Sequence, residues 1–231
     1  MKNIIIGDIH GCIETYLELL DILRPDPTQD RLILLGDLFD RGPASWEVFM
    51  AVKEQEKAFG DRFILLRGNH EDYLLQPKLS MAQRMMWDRV GRKATVRSFT
   101  LHGDRMESSI PWLNAHCQMY WKGNGFQCAH AGVKVEPIEA NDAHTLLHDH
   151  QVVMENRYKG PLTVTGHIAL RQTAFFPGGR ECVEFFTEEK SNPLPGKGVI
   201  CIDTGCGKGG KLTAMVIENG SFRLFSVPER E

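Results

Sequence analysis

Long apolar runs, an excess of basic charge and paired cysteines are all scarce in this chain, and each shortage removes a class of function. No apolar run approaches the roughly 18 residues that a membrane span requires, so no membrane partner is expected. Lys and Arg number 27 against 30 Asp and Glu, for a formal net charge of -3 and a pI near 6.3, which leaves no basic field for nucleic acid. The six cysteines (Cys12, Cys117, Cys128, Cys182, Cys201 and Cys206) include no close Cys-x-x-Cys pair and read as reduced thiols. Cys12, beside a candidate ligand loop, is the expected oxidation target. Met1 to Gly7 carries one positive charge and an apolar run too short for a signal peptide, so a structural start and a cytoplasmic chain are expected. There is no internal repeat and no low-complexity segment. What remains is 231 residues with 42% apolar and 25% charged content, enough for one large α/β domain spanning residues 1–231 with a local insertion.

Against that ordinary background, three stretches share one layout. Asn3-Ile4-Ile5-Ile6 runs into Gly7-Asp8-Ile9-His10-Gly11, and Leu32-Ile33-Leu34-Leu35 runs into Gly36-Asp37-Leu38-Phe39-Asp40-Arg41-Gly42. Phe63-Ile64-Leu65-Leu66 runs into Arg67-Gly68-Asn69-His70-Glu71. Each reads as a short buried strand that delivers polar groups at its end. A buried strand gives no packing reason for an Asp at its carboxyl end, and a second Asp three residues on raises the cost unless a cation receives both. Metal is the obvious recipient. Hard oxygen mixed with imidazole suits Mn, Fe or Zn better than Ca or Mg.

The triplet Gly-Asp-Ile-His-Gly, Gly-Asp-Leu-Phe-Asp-Arg-Gly and Gly-Asn-His-Glu resembles the signature of the calcineurin-like metallophosphoesterases, and among them the Ser/Thr phosphoprotein phosphatase branch with its small bacterial and phage members. The motifs occupy the first third of the chain in the family's order, and Ala129-His130-Ala131 and Gly166-His167 extend the match. The residues alone support a mixed α/β class. The resemblance implies more: an αββα sandwich of two mixed β-sheets flanked by helices, with a dinuclear metal site at the strand ends. It places Asp8, His10 and Asp37 at one metal and Asp37, Asn69, His130 and His167 at the other. The two divalent ions are expected to be Mn2+ first, with Fe or Zn as the other candidates. A bridging Asp37 has a physical warrant, because ions roughly 3.5 to 4 Å apart repel unless an anion lies between them. Taken alone, His130 and His167 would be ordinary core histidines; beside three ligand loops they read as ligands.

Between and after these loops the chain alternates. Ile13 to Leu23 and Ala44 to Phe59 carry helical apolar spacing, so parallel strands with helical crossovers are expected. From about residue 73 to 110 the text is Met-rich, Arg-rich and helical, an insertion over or beside the site whose Met and Trp stripe is expected to be core. Tyr120-Trp121 and Phe126-Gln127-Cys128 flank a tight-turn signal, and Leu162 to Thr165, Val199 to Ile202 and the hairpin 212–227 around Asn219-Gly220 read as strands. The back half is therefore expected to be mainly a second sheet.

The chemistry follows from the resemblance. Two metals would lower the pKa of a shared water and supply a bridging hydroxide for in-line attack on phosphorus, with no covalent enzyme intermediate. His70, next to Asn69, is placed to protonate the leaving oxygen, with Asp40 orienting it and keeping it protonated. Arg41 suits two nonbridging phosphate oxygens. A second arginine is expected from the family, and Arg157 stands in its place, with Arg171 as the alternative; Arg67 is expected to be structural. His144, His148 and His150 read as surface or helix residues, since the metal shell is already filled. Ala169 stands where general phosphodiesterase members carry the second histidine of Gly-His-x-His, which favours the phosphoprotein phosphatase branch. Symmetric dinucleoside tetraphosphate hydrolases share that look, including a tail similar to Ile202-Asp203-Thr204-Gly205, but usually lack the Asp that this chain has as Asp40. The expected function is metal-dependent hydrolysis of phosphomonoesters, foremost phosphoserine and phosphothreonine in proteins, the substrate being a phosphorylated protein or a small phosphoester. A symmetric dinucleoside tetraphosphate hydrolase and a catalytically lapsed phosphate-binding scaffold are the alternatives.

Overall fold

Alternation along the first strand sends its side chains into two different cores. In the computed structural model, which describes residues 1–179, 181–188 and 190–231, β1 (Asn3–Ile6) packs Ile4 and Ile6 with α1 (Ile13–Leu23) and α2 (Ser45–Phe59). Ile5 enters a second core between two sheets. β2 (Arg31–Leu34) and β3 (Phe63–Leu66) repeat the split, with Ile33 and Ile64 between the sheets and Leu32, Leu34 and Leu65 under the helices. Strands covered on both faces need continuous apolar text, and these have it. They lie parallel, with the register Ile5↔Ile33↔Ile64.

The first sheet has the order β10-β13-β12-β1-β2-β3-β4, where β4 is Cys117–Gln118, β10 is Asn192–Pro193, β12 is Lys211–Glu218 and β13 is Ser221–Pro228. The second has the order β5-β6-β7-β11-β8-β9. Its strands are β5 (Tyr120–Lys122), β6 (Gln127–Ala129), β7 (Thr163–Thr165), β8 (Ala174–Phe176), β9 (Glu184–Phe185) and β11 (Val199–Cys201). The back half supplies every strand of the second sheet, as expected, but its final hairpin returns to the first, with β12 antiparallel to β1 from Asn3↔Ile217 to Ile6↔Ala214. The reason is burial, since β1 would otherwise be a sheet edge with both faces covered. Leu212, Ala214 and Val216 continue one core, and Met215 and Ile217 the other.

Helices close both outer faces. α3 (Asn69–Leu75), α4 (Met81–Arg89), α5 (Arg92–Leu101) and α6 (Ile110–His116) lie on the side of the first sheet, where Leu74, Trp87, Phe99 and Leu113 join its core. α7 (Ala143–Leu147) and α8 (Gln151–Met154) cover the second, with Leu146 and Val153 against Ala129, Val199 and Cys201. The fold is the αββα sandwich of mixed sheets. The helical stretch expected over 73–110 runs on to His116, because Pro111 falls in the first turn of α6, where its missing N–H costs nothing. Its Met and Trp stripe divides: Trp87 and Met106 are buried, while Met81, Met85 and Met86 are exposed. α4 is polar on most sides, and Trp87 takes its inward position. Among the described residues, no helix is long and apolar enough to cross a membrane.

Candidate metal centre

The polar loops that follow β1, β2, β3, β6 and β7 converge at the carboxyl ends of those strands. Their backbones are strained. His10, Asp37, Asp40, Arg41 and His167 all hold a left-handed conformation, at φ 49°, 50°, 68°, 69° and 65°. Such a residue costs on the order of 1 kcal/mol or more and persists only where its surroundings over-determine it. They do. The Asp37 carbonyl accepts from the N–H groups of Ile9 at 3.1 Å and His10 at 2.9 Å. The Glu71 carboxylate accepts from the N–H groups of Asp37 at 2.8 Å, Leu38 at 2.8 Å and Gly68 at 3.0 Å. Gly68 and Gly166 allow the closest approaches: an added Cβ would stand 2.2 Å from Asp37 Oδ1 and 2.1 Å from Asp8 Oδ1.

Around Asp37 Oδ2 stand three imidazole nitrogens, Nε2 of His130 at 3.5 Å, of His10 at 3.6 Å and of His70 at 3.8 Å. His10 Nε2 also lies 3.9 Å from Asp8 Oδ2. Asn69 Oδ1 meets His130 Nε2 at 3.0 Å and His167 Nδ1 at 2.9 Å. The structure therefore brings Asp8, His10, Asp37, Asn69, His130 and His167 into one cluster, with Asp37 in its middle, and places His70 and Asp40 beside it. His10–Asp37–His70 and Asp37–His130–His167 form two groups able to hold an ion, sharing Asp37.

Tautomers give the argument for a cation. His10 Nδ1 donates to the Phe39 carbonyl and His130 Nδ1 to the Leu35 carbonyl, each at 2.9 Å. Because a carbonyl only accepts, both Nδ1 atoms carry hydrogen, and both Nε2 atoms turn lone pairs toward Asp37. Burial keeps these rings neutral: it lowers the pKa of His10 and His130, and with the neighbouring His130 it brings His167 down to about 3. Burial, then the charges of Asp203 and Asp37, push Asp8 up. For Asp37, burial alone would do the same; charge on the His130, His70 and His10 rings, where they are protonated, and the His70 backbone N–H on Oδ1 pull its carboxyl down instead. Asp203, which is buried, receives Gly205 N–H on Oδ1 at 2.9 Å and has no partner on Oδ2 among the described residues. So many acceptors facing one another fit a divalent cation, and the two ligand groups meet at Asp37.

His70 is held for a different task. Its Nδ1 donates to Asp40 Oδ2 at 2.6 Å, and its Nε2 points back to the cluster, 3.4 Å from an Arg41 guanidinium nitrogen. Burial would lower its pKa, but the Asp37 charge and the Asp40 hydrogen bond raise it. Asp40 is buried and also accepts from Trp87 Nε1 and Thr95 Oγ1, each at 2.6 Å. Arg41 touches His10 Nε2 with its other guanidinium nitrogen.

Other residues fall elsewhere. Arg157 is 59% exposed and pairs with Glu155, and among the described residues no hydrogen bond or ion pair links its side chain to the cluster. Arg67 pairs with Asp72 at 2.7 Å. His150, read as a surface residue, lies with its ring 5.7 Å from His167, and His148 sits near Tyr73 and Asp72, so both border the His167 side. Cys12 is fully buried, which shields the expected oxidation target. Glu71, Trp87, Thr95 and Asp203 have roles that the sequence did not assign. Only Glu71 carried a local signal, a Glu three residues after the helix cap whose carboxylate reaches back to the cap N–H.

Comparison with known proteins agrees with this geometry. The sequence pattern of the family described as calcineurin-like phosphoesterase matches residues 1–213. A symmetrical bis(5'-nucleosyl)-tetraphosphatase of Cronobacter sakazakii is 27% identical over 93% of this chain and 90% of its own length. One of Aromatoleum aromaticum is 38% identical over 130 residues, 55% of this chain, and there the chain spans 43% of the relative. In fold, a metallophosphoesterase from Sphaerobacter thermophilus superposes with a TM-score of 0.65, at 13% identity, covering 100% of this chain and 90% of that one. The chain belongs to the calcineurin-like phosphoesterase family.

Proposed function

We propose that the protein is a metal-dependent phosphohydrolase, and that its foremost substrate class is the symmetrical dinucleoside tetraphosphates, with phosphomonoesters second. The observation that carries this order is the similarity along 93% of the chain to a protein named for tetraphosphate hydrolysis. It reverses the ranking expected from the motifs, in which phosphoserine and phosphothreonine came first. Asp8, His10 and Asp37 would hold one divalent cation, and Asp37, Asn69, His130 and His167 the other. Manganese is the first candidate, because two carboxylates, an amide oxygen and imidazoles form a mixed hard and borderline donor set. When bound, the pair would supply Lewis acidity and a water acidic enough to lose its proton near neutral pH, giving the hydroxide that attacks phosphorus.

The chain's own groups do the rest. Arg41, at the mouth of the cluster, holds nonbridging oxygens of the reacting phosphoryl group and offsets charge that grows there. The water oxygen bonds to phosphorus as the bridging P–O bond breaks. From a tetraphosphate the departing group is a nucleoside diphosphate, a stable anion that needs little protonation. From phosphoserine it is an alkoxide, which needs a proton from His70 Nε2, while Asp40 fixes the ring through Nδ1. The Asp40–His70 pair is the specific observation that favours the second reading. For a second phosphate-holding arginine, Arg157 remains a proposal that requires its side chain to leave Glu155.

Manganese-loaded protein incubated in parallel with diadenosine tetraphosphate and a phosphoserine peptide separates the readings. ADP as the nucleotide product supports the first. Phosphate from the peptide without ADP from the tetraphosphate supports the second, and no turnover of either leaves a phosphate-binding scaffold.

A further inference from the structure

Two adjoining cavities open beside the Asp8 and Asp203 side of the cluster. One, of about 590 Å³, lies between Ala169–Arg171, just after His167, and the turn Thr204–Lys211. The other, of about 230 Å³, shares Arg171, Thr204 and Lys211 and continues to Phe186, Gln172 and Ser226. The turn that walls the larger cavity rests on the candidate ligand His10 and on Arg41. A Cβ at Gly207 would stand 2.7 Å from the Cβ of His10 and 3.1 Å from that of Arg41. Across the cavity, Leu170 N–H donates to the Asp203 carbonyl at 3.0 Å, which ties the other wall to the same place.

The larger cavity is lined by charge of one sign, while the smaller also carries Glu188. Arg171, Lys208 and Lys211 contribute to the larger cavity, and no Asp or Glu does among the described residues. Glu188 engages Lys211 at 2.9 Å, whereas Arg171 and Lys208 have no ion-pair partner among the described residues. Ala169, a small side chain, stands exposed on that wall and leaves it open. An anion that reaches past the reacting phosphorus would meet these two cations. A tetraphosphate cleaved at its centre has such anions, since each half carries a second phosphate and a nucleoside that the metal ligands and Arg41 do not reach.

We propose that these cavities bind one nucleoside diphosphate arm of the substrate, with Lys208 and Arg171 on the phosphate that is not attacked and the Phe186 end receiving the nucleoside. The inference rests on the dinucleoside polyphosphate reading above. Lys208 and Arg171 here set substrate choice and take no part in bond breaking.

The test compares the metal-loaded wild type with Lys208→Ala, Arg171→Ala and Lys208→Arg. Each is measured for the KM of diadenosine tetraphosphate, for kcat/KM on p-nitrophenyl phosphate, and for the inhibition constant of ADP against p-nitrophenyl phosphate hydrolysis. Each alanine variant should raise the tetraphosphate KM and the ADP inhibition constant about tenfold, the size of one charge-assisted hydrogen bond. The aryl ester, too short to reach the cavities, should change far less, and Lys208→Arg should restore most of the loss. Equal losses on both substrates, or an ADP inhibition constant that is the same in all four proteins, would overturn the subsite, as would ADP that does not inhibit the wild type. If the wild type releases no ADP from the tetraphosphate, the substrate reading falls, and the ADP series still decides the subsite, because ADP need not be a product to occupy it.

Discussion

The indole N–H of Trp87 donates to Asp40 Oδ2 at 2.6 Å, the same oxygen that receives His70 Nδ1. A residue of the helical insertion thereby shares the carboxylate oxygen that holds His70, the proposed proton donor. Trp87→Phe keeps an aromatic ring against Tyr73 and removes the donor together with part of the buried indole. One of three side-chain bonds to a buried carboxylate is lost along with some packing, so stability should fall by at least about 1 kcal/mol. Turnover of an alkyl phosphate should fall about tenfold, and that of an aryl phosphate much less, since only the first depends on a well-oriented acid. Thermal unfolding and the alkyl-to-aryl ratio check both halves; an unchanged ratio would leave Trp87 a packing residue.

The acid itself is tested by His70→Asn. Phosphoserine hydrolysis should be crippled, on the order of 10² or more, because its alkoxide is a poor leaving group. Hydrolysis of p-nitrophenyl phosphate and of diadenosine tetraphosphate should suffer much less. All substrates are read in one variant, so misfolding or metal loss, which depresses every rate together, is told apart from loss of the proton donor. Equal losses with metal content intact would reduce His70 to a phosphate-binding role.

What the sequence revealed and what it hid divide by distance along the chain. Asp8 and His10 lie within four residues of the end of β1, and Asp37 and Asn69 within three of β2 and β3, so an apolar run followed by a polar loop was enough to place them. The αββα layering followed from the family those loops resemble. By contrast, Trp87 and Thr95 are 47 and 55 residues from Asp40. Their role depends on how α4 and α5 fold back over the loop, and no periodicity records it. The return of β12 to β1 was hidden for the same reason: its largely apolar run fits a buried strand of either sheet, and the unpaired edge of β1 made the choice. His150 is exposed, as its sequence suggests, but nothing local revealed that its ring approaches His167.

Glu71→Gln tests the scaffold under the bridge. The Glu71 carboxylate takes three backbone N–H groups of the Asp37 and Gly68 loops, and burial, with Asp37 nearby, raises its pKa to about 7. The amide keeps the shape but turns a donor toward a donor. The metal-free protein should lose about 1 to 3 kcal/mol of stability, and manganese affinity should drop with it. Chemical unfolding and calorimetric titration read the two effects; unchanged values in both would mean the loop is held by other contacts.

Arg41→Ala should lower turnover by on the order of 10² to 10³ while leaving metal content unchanged, because the guanidinium offsets charge that develops on the phosphoryl oxygens. Loss of metal instead would make Arg41 structural, through its contact with His10. The parallel Arg157→Ala, whose side chain pairs with Glu155, should reduce turnover only if that residue swings to the substrate.

The central claim is a dinuclear centre bridged by Asp37, and metal stoichiometry tests it most directly. Manganese-loaded, desalted wild type should hold about two ions per chain by elemental analysis, as two groups sharing one carboxylate require. Asp37→Asn should hold at most one and should be inactive on every phosphate ester, since the bridging oxygen loses its charge between two cations. Two ions retained by Asp37→Asn, with most of the activity, would contradict the account.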